Sequence, residues 1–224
     1  MAVWLDSPQR SRILAIVVLV ILAAQLLGGL RAFSAEMVHL AVASRVSAWE
    51  SAQTLPSPAE FDATWSELEG ALQLTPRWGE LYEMRARLTM QTLNEPDLPV
   101  ETLDAVVDSA RADLDAAAAT RPTLPRVPLL QLGLDSLMYL AGTEPYLQHA
   151  VDVLRLGPSS RIYLEPTLTV LINDWPALDP ASRELTIAGL TDLASVDQRA
   201  VQRLLRDAPA REAICAQGEA LCGS

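Results

Sequence analysis

The chain has 224 residues, half of them hydrophobic, and carries 28 acidic against 17 basic side chains, every basic one an arginine. The net charge of −11 argues against nucleic-acid binding, which requires a basic surface. Two cysteines and two histidines without a shared motif predict no metal site. Abundant Ala and Leu, with 15 prolines, favour helices over a large sheet.

The first recognisable element is an apolar run, Ile13 to Leu30, with Gln25 as its single polar side chain. Eighteen helical residues span about 27 Å, close to the thickness of a bilayer's hydrocarbon core. Arg10 and Arg12 precede the run, so the positive-inside rule puts the N-terminus in the cytoplasm. The alternative is a cleaved signal peptide ending near Ala32-Phe33-Ser34, but the run is long for one.

This segment sets the predicted domain layout of a single-pass protein of the bacterial inner membrane. Residues 1–12 form a cytoplasmic tail, residues 13–33 a transmembrane anchor and residues 34–224 a periplasmic helical domain. The anchor helix is expected to continue past the membrane, because Val38, Val42 and Trp49 keep a helical spacing.

The rest of the chain reads as helices joined by short, proline-marked connections. Ser57-Pro58-Ala59-Glu60 combines an N-cap, a proline at the first helical position and a capping box. Further helices are predicted over about 78–93, 101–119, 127–141, 144–157, 161–175, 179–193 and, in two pieces broken near Ala208-Pro209, 196–221. The predicted fold class is all-α: one transmembrane helix followed by a tetratricopeptide-like α-hairpin solenoid or bundle.

One helix-end pattern occurs twice. Ala71-Leu72-Gln73-Leu74-Thr75-Pro76 recurs loosely as Val153-Leu154-Arg155-Leu156-Gly157-Pro158. Tetratricopeptide repeats end their second helix in this way, although the spacing of 82 residues is not a multiple of 34. The repeats are therefore interpreted as degenerate.

A narrower resemblance lies in the order of these features. The arginine-flanked anchor, Trp49, Ser-Pro-Ala-Glu leading into Ala-Leu-Gln-Leu-Thr-Pro, and Leu-Arg-Leu-Gly-Pro before Asn173 to Leu178 together resemble the VpsP-type polysaccharide-biosynthesis proteins. The resemblance implies a membrane-anchored accessory protein of exopolysaccharide production or export. It supplies no catalytic residues.

Residues that could carry chemistry are isolated in sequence. Gly133-Leu134-Asp135-Ser136-Leu137 matches the phosphopantetheine motif of acyl carrier proteins, but that attachment is made in the cytoplasm, and a chance match is the preferred interpretation. His39 and His149 have no nucleophile or carboxylate at a motif spacing. The chain is therefore expected to be no enzyme, with no catalytic residue, cofactor or metal ligand.

An acidic stretch has two interpretations, a cation site or a solvated helix face. The stretch contains Asp104, Asp108, Asp113 and Asp115 without the glycine turn of a calcium loop. Arg111 stands three residues after Asp108 and four before Asp115, so a salt-bridged helix face is predicted.

Cys215 and Cys222 are expected to pair in an oxidising compartment and to staple the C-terminal helix, with two free buried thiols as the alternative.

The functional hypothesis is a non-enzymatic scaffold that binds a polysaccharide polymerase, ligase or export protein. Trp78, Tyr82 and Tyr163 are the candidate contact residues. The first alternative is a glycan-binding module of the same pathway, with aromatic rings stacking on sugars. The second is an envelope assembly factor for secretion or cell division.

Overall fold

A computed structural model describes residues 8–95, 98–138, 140–157 and 161–222. Within these ranges the protein is all-helical and contains no strand, as the sequence predicts. The α-helices are α1 (Pro8–Ala52), α2 (Pro58–Leu74), α3 (Gly79–Thr92), α4 (Val100–Thr120), α5 (Arg126–Leu137), α6 (Glu144–Leu156), α7 (Arg161–Asn173), α8 (Pro180–Arg206), α9 (Arg211–Gln217) and α10 (Glu219–Cys222), with a 3₁₀ turn at Trp175–Ala177.

Helix α1 is unbroken over 45 residues and contains the apolar run. By length and composition it can cross a membrane, the one helix of the described chain that can. Residues 1–7 of the predicted tail lie outside the described residues.

The chain divides into two compact units, unit 1 (Met1–Leu88) and unit 2 (Thr89–Ser224), so that the division falls within α3. The predicted layout treated residues 34–224 as one domain.

The core of unit 1 combines the second half of α1 with α2 and the first part of α3. Its fully buried members are Ala35, Val42, Val46, Leu68, Ala71, Leu72, Leu81, Met84 and Leu88.

Helix α2 begins and ends where its sequence signals predict. Ser57 caps it, and the Glu60 carboxylate accepts hydrogen bonds from the Ser57 backbone N–H (2.9 Å) and hydroxyl (2.7 Å), which confirms the capping box. At its end Thr75 leaves the helical conformation (φ −137°, ψ 69°) because Pro76 follows. Gly157 ends α6 with a similar backbone (φ −133°, ψ 42°), so the two helix-end patterns correspond structurally, although Pro158 lies outside the described residues.

Unit 2 is built by packing each helix on the next along the chain, from α4 to α8, with α6 also contacting α8. Tight approaches fix some of these contacts. A Cβ on Gly189 would lie 3.2 Å from Leu168, so a larger residue there would push α7 away from α8. A Cβ on Gly157 would likewise lie 3.1 Å from Pro125 and 3.2 Å from Tyr163.

Two helix starts in unit 2 differ in detail from their sequence signals. Thr143-Glu144-Pro145 predicts a side-chain cap for α6, but the Thr143 hydroxyl donates to Leu140 O (2.7 Å) and makes no cap hydrogen bond. The break predicted between Leu193 and Val196 lies at Asp197, whose non-helical backbone (φ −147°, ψ 84°) divides α8 into two segments. The Asp197 carboxylate accepts from Ala200 N (3.0 Å) and so caps the second segment.

Candidate functional site

The apolar half of α1 leads directly into the core of unit 1. Every described side chain from Leu14 to Ser34 is exposed, and Ala35 is the first that is fully buried. The exposed stretch therefore ends at the residue where packing against the rest of unit 1 begins.

A first polar link holds α1 against α2. The Arg45 guanidinium donates to the Thr64 hydroxyl (3.1 Å) and pairs with the Glu67 carboxylate. Thr64 is itself fully buried. Since Arg45 and Glu67 are partly exposed, this ion pair orients the helices more than it stabilises them.

A second link joins α1 to α3 and is more deeply placed. Arg87 donates from two guanidinium nitrogens to the two carboxylate oxygens of Glu50, one at 3.1 Å. The Arg87 side chain is only 9% exposed, and Glu83 lies 4.0 Å away on the same helix. A two-pronged arginine–carboxylate pair in a low-dielectric setting fixes geometry strongly, so α1 and α3 are held in one arrangement.

Half-buried aromatic side chains of unit 1 form a cluster with one arginine, which we call the aromatic patch (Phe61, Trp65, Tyr82 and Arg85). The rings of Phe61 and Trp65 stack with centroids 6.0 Å apart. The Arg85 guanidinium lies over Trp65 (5.4 Å) and over Tyr82 (5.7 Å). Trp, Tyr and Arg are the residues that dominate the energetics of protein–protein interfaces.

The three predicted contact residues are divided between the units. Trp78 and Tyr82 are partly buried against the core of unit 1, and the Tyr82 hydroxyl donates to Pro76 O (3.2 Å). Tyr163 belongs to unit 2, where it is partly buried beside Gly157. Of these, Tyr82 belongs to the aromatic patch, while Trp65 and Arg85 were not among the predicted contacts.

In unit 2 a buried carboxylate gathers partners from two other helices, and we call this the Asp135 centre (Arg111, Asp135 and His149). The Asp135 side chain, on α5, is 5% exposed. Its Oδ1 accepts from Arg111 of α4 (3.3 Å), and its Oδ2 lies 2.9 Å from His149 Nδ1 of α6. The centre therefore ties three consecutive helices together.

The neighbouring Ser136 takes no part in this centre. Its hydroxyl donates to Leu132 O (3.0 Å) and lies 3.5 Å from the Tyr146 hydroxyl. A carboxylate that orients a histidine is two thirds of a hydrolytic triad, but no described serine or cysteine completes it. The geometry suits a structural tie.

The predicted salt-bridged face of α4 was wrong. Arg111 pairs across to Asp135 rather than with Asp108 or Asp115 on its own helix. Asp115 accepts from Gln131 of α5 (3.1 Å). No cluster of three metal-ligating side chains occurs among the described residues.

At the C-terminus Cys215 and Cys222 form a disulfide, with Cα atoms 5.6 Å apart. The bond joins α9 to α10, and neighbouring side chains Ile214 and Leu221 are buried in the core of unit 2. It therefore staples the chain end to the core.

Compared with known proteins, the chain matches no family model, no curated protein and no solved structure.

Proposed function

We propose that the chain is a membrane-anchored scaffold of exopolysaccharide biosynthesis or export that binds a polysaccharide polymerase, ligase or export protein. Its anchor is α1, in the bacterial inner membrane, with the N-terminus in the cytoplasm and the helical units in the periplasm. The polysaccharide assignment rests on the resemblance to VpsP-type proteins, and the topology rests on Arg10 and Arg12.

The continuity of α1 is the observation that supports a scaffold best. The same helix provides the apolar span and the first wall of the core of unit 1, and two polar links hold it there. A partner bound to unit 1 would therefore be held at a defined height and orientation relative to the membrane.

The aromatic patch supports a protein partner over a sugar. Sugars stack on free aromatic ring faces, whereas the Arg85 guanidinium already covers faces of Trp65 and Tyr82. A half-buried cluster of Trp, Tyr and Arg is the composition of an interface hot spot. The glycan-binding alternative thus gains no support from this patch.

A crosslinked pull-down tests the proposal. The tagged full-length protein is crosslinked in native membranes, and co-purified proteins are identified. We expect a polymerase, ligase or export component of the polysaccharide machinery, with recovery reduced several-fold in an R85Q variant. R155Q is the matched control, because Arg155 is an exposed arginine of unit 2.

Two outcomes would overturn the proposal. One is recovery of no component of that machinery. The other is a deletion strain that keeps normal exopolysaccharide and loses secretion or division, which would favour the envelope assembly factor.

A further inference from the structure

The arginine side chains of this acidic chain differ in whether they have an interaction partner. Most described arginine side chains beyond α1 contact a carboxylate, a carbonyl or an aromatic ring or have another partner. Among the described arginines beyond α1, those without a hydrogen bond or ion pair are Arg77, Arg199, Arg203, Arg206 and Arg211. Four of these five fall within 13 residues of one another at the C-terminal end of the chain.

Three of these four arginines lie on one face of a helix, and the fourth begins the next helix. Arg199, Arg203 and Arg206 recur at intervals of four and three, so they share one face of the second segment of α8. All of them, and Arg211 at the start of α9, are exposed.

Two of the four line one groove, which we call the arginine groove (Gln202, Leu205, Arg206, Arg211, Leu221 and Cys222). It has a volume of about 360 Å³, and no carboxylate belongs to its described lining. Leu205 and Leu221 are buried side chains of the core, and Cys222 is held by the disulfide, so these three lining residues are fixed in place.

Another groove of unit 2 shows that this lining is not typical. That groove, of about 400 Å³, is lined by Glu144 and Asp179 and contains no arginine among its described residues. Of the two grooves, the arginine groove has the lining charge that favours an anion.

We propose that the arginine groove binds an acidic glycan through its carboxylates. Two guanidinium groups can each donate two parallel hydrogen bonds to a carboxylate. The Gln202 amide can donate to and accept from sugar hydroxyls, and the leucines offer an apolar surface to the ring. The choice of a glycan over another polyanion rests on the proposed role in exopolysaccharide biosynthesis.

The test measures binding of oligogalacturonate, as the probe, to the full chain in nanodiscs of zwitterionic lipid. We expect saturable binding that weakens as salt rises, because the contacts are exposed ion pairs. In the double variant R206Q/R211Q the affinity should fall at least about tenfold, the scale of losing one or more charge-assisted hydrogen bonds. R77Q is the matched control, since Arg77 is an unpaired, exposed arginine of unit 1, and its affinity should stay unchanged.

Three results would overturn the inference: no binding by the wild-type chain, equal binding of neutral dextran, or an R206Q/R211Q affinity equal to that of R77Q. Equal binding of polyphosphate would overturn the glycan assignment and leave a general anion groove. Thermal unfolding of R206Q/R211Q must match wild type, and R206K/R211K should recover part of the affinity. Because this is a direct binding measurement, its failure leaves the pull-down unaffected, and a failed pull-down leaves the binding result standing.

Discussion

The two halves of α1 share one secondary structure but differ in what surrounds them. From Leu14 to Ser34 the helix exposes apolar side chains all round, whereas from Ala35 it buries one stripe and exposes the opposite face. A uniformly apolar helix is stable in lipid, and a striped helix is stable when protein covers the stripe. One uninterrupted helix therefore combines a half that is apolar enough to cross a membrane with a half that packs against protein, and the change occurs at Ala35.

The largest expected effect comes from placing a charge in each half. Val42→Asp buries an unpaired carboxylate in the core of unit 1, which should cost about 4 kcal/mol or more and abolish its cooperative unfolding, followed by tryptophan fluorescence. Val20→Asp should leave the core of unit 1 intact and disfavour membrane insertion by about 3 kcal/mol, followed by membrane fractionation. If both variants lost the same property, the two halves would not differ as described.

The next largest effect concerns the link between α1 and α3. Glu50→Ala leaves the buried Arg87 guanidinium without its two-pronged partner and should lower the free energy of unfolding by about 3 kcal/mol. Glu67→Ala is the control, because its ion pair with Arg45 is exposed and should be worth less than about 1 kcal/mol. Urea unfolding of the full chain measures both, and equal losses would contradict the ranking.

A smaller effect is expected at the Asp135 centre of unit 2. Asp135→Asn should lower the free energy of unfolding by about 2 kcal/mol, less than Glu50→Ala, because Arg111 and His149 both reach solvent. Asp152→Asn, which weakens an exposed pair with Arg155 and an exposed hydrogen bond from Gln148, should have little effect. A loss from Asp135→Asn no greater than that from Asp152→Asn would mean that the centre does not tie α4, α5 and α6.

The smallest effect is a pH dependence that both units share through their helix caps. Hydrogen bonds from the Ser57 hydroxyl and backbone lower the pKa of Glu60 below its ordinary value of 4.5. The hydroxyl and backbone of Ser182 likewise lower the pKa of Asp179 below 3.8. Because each folded pKa lies below the unfolded one, each carboxylate stabilises the fold above its unfolded pKa, and that contribution is lost as pH falls through the folded value.

The melting temperature should therefore decline below about pH 4.5, and the decline should be shallower in a Glu60→Gln, Asp179→Asn variant. Unchanged acid sensitivity in that variant would mean that neither capping carboxylate contributes to the pH dependence of stability. Glu69→Gln, at an exposed carboxylate without a cap, is the control.

How far the sequence predicts the structure depends on the distance between the interacting residues. Local signals predicted the start of α2 at Ser57 and its end before Pro76, since caps and prolines act on their own turn. The break predicted between Leu193 and Val196 lies at Asp197, where the aspartate caps the segment that follows and no Pro or Gly marks the position. Hydropathy identified the apolar half of α1 for the same reason, because it is a property of one contiguous run.

The candidate sites could be predicted only in part, because their members come from different helices. Asp135 and His149 are 14 residues apart, and Glu50 and Arg87 are 37 apart, so no motif spacing connects them. Arg111 was assigned to carboxylates of its own helix, since that spacing was visible, whereas its partner lies on α5. The intervals among Arg199, Arg203 and Arg206 were visible in the sequence, but their lack of ion-pair partners required side-chain contacts.

The central question is whether α1 both spans the membrane and packs in the core of unit 1. Single-cysteine labelling along α1 in native membranes addresses it, with a maleimide that cannot cross the bilayer. We expect cysteines replacing Ser44 or Ser47 to react in intact cells whose outer membrane is permeable, and one replacing buried Val46 to stay unreactive. A cysteine replacing Leu19 should stay unreactive even after the inner membrane is opened. Labelling at Leu19, or labelling at Ser44 and Ser47 only after the inner membrane is opened, would contradict this expectation.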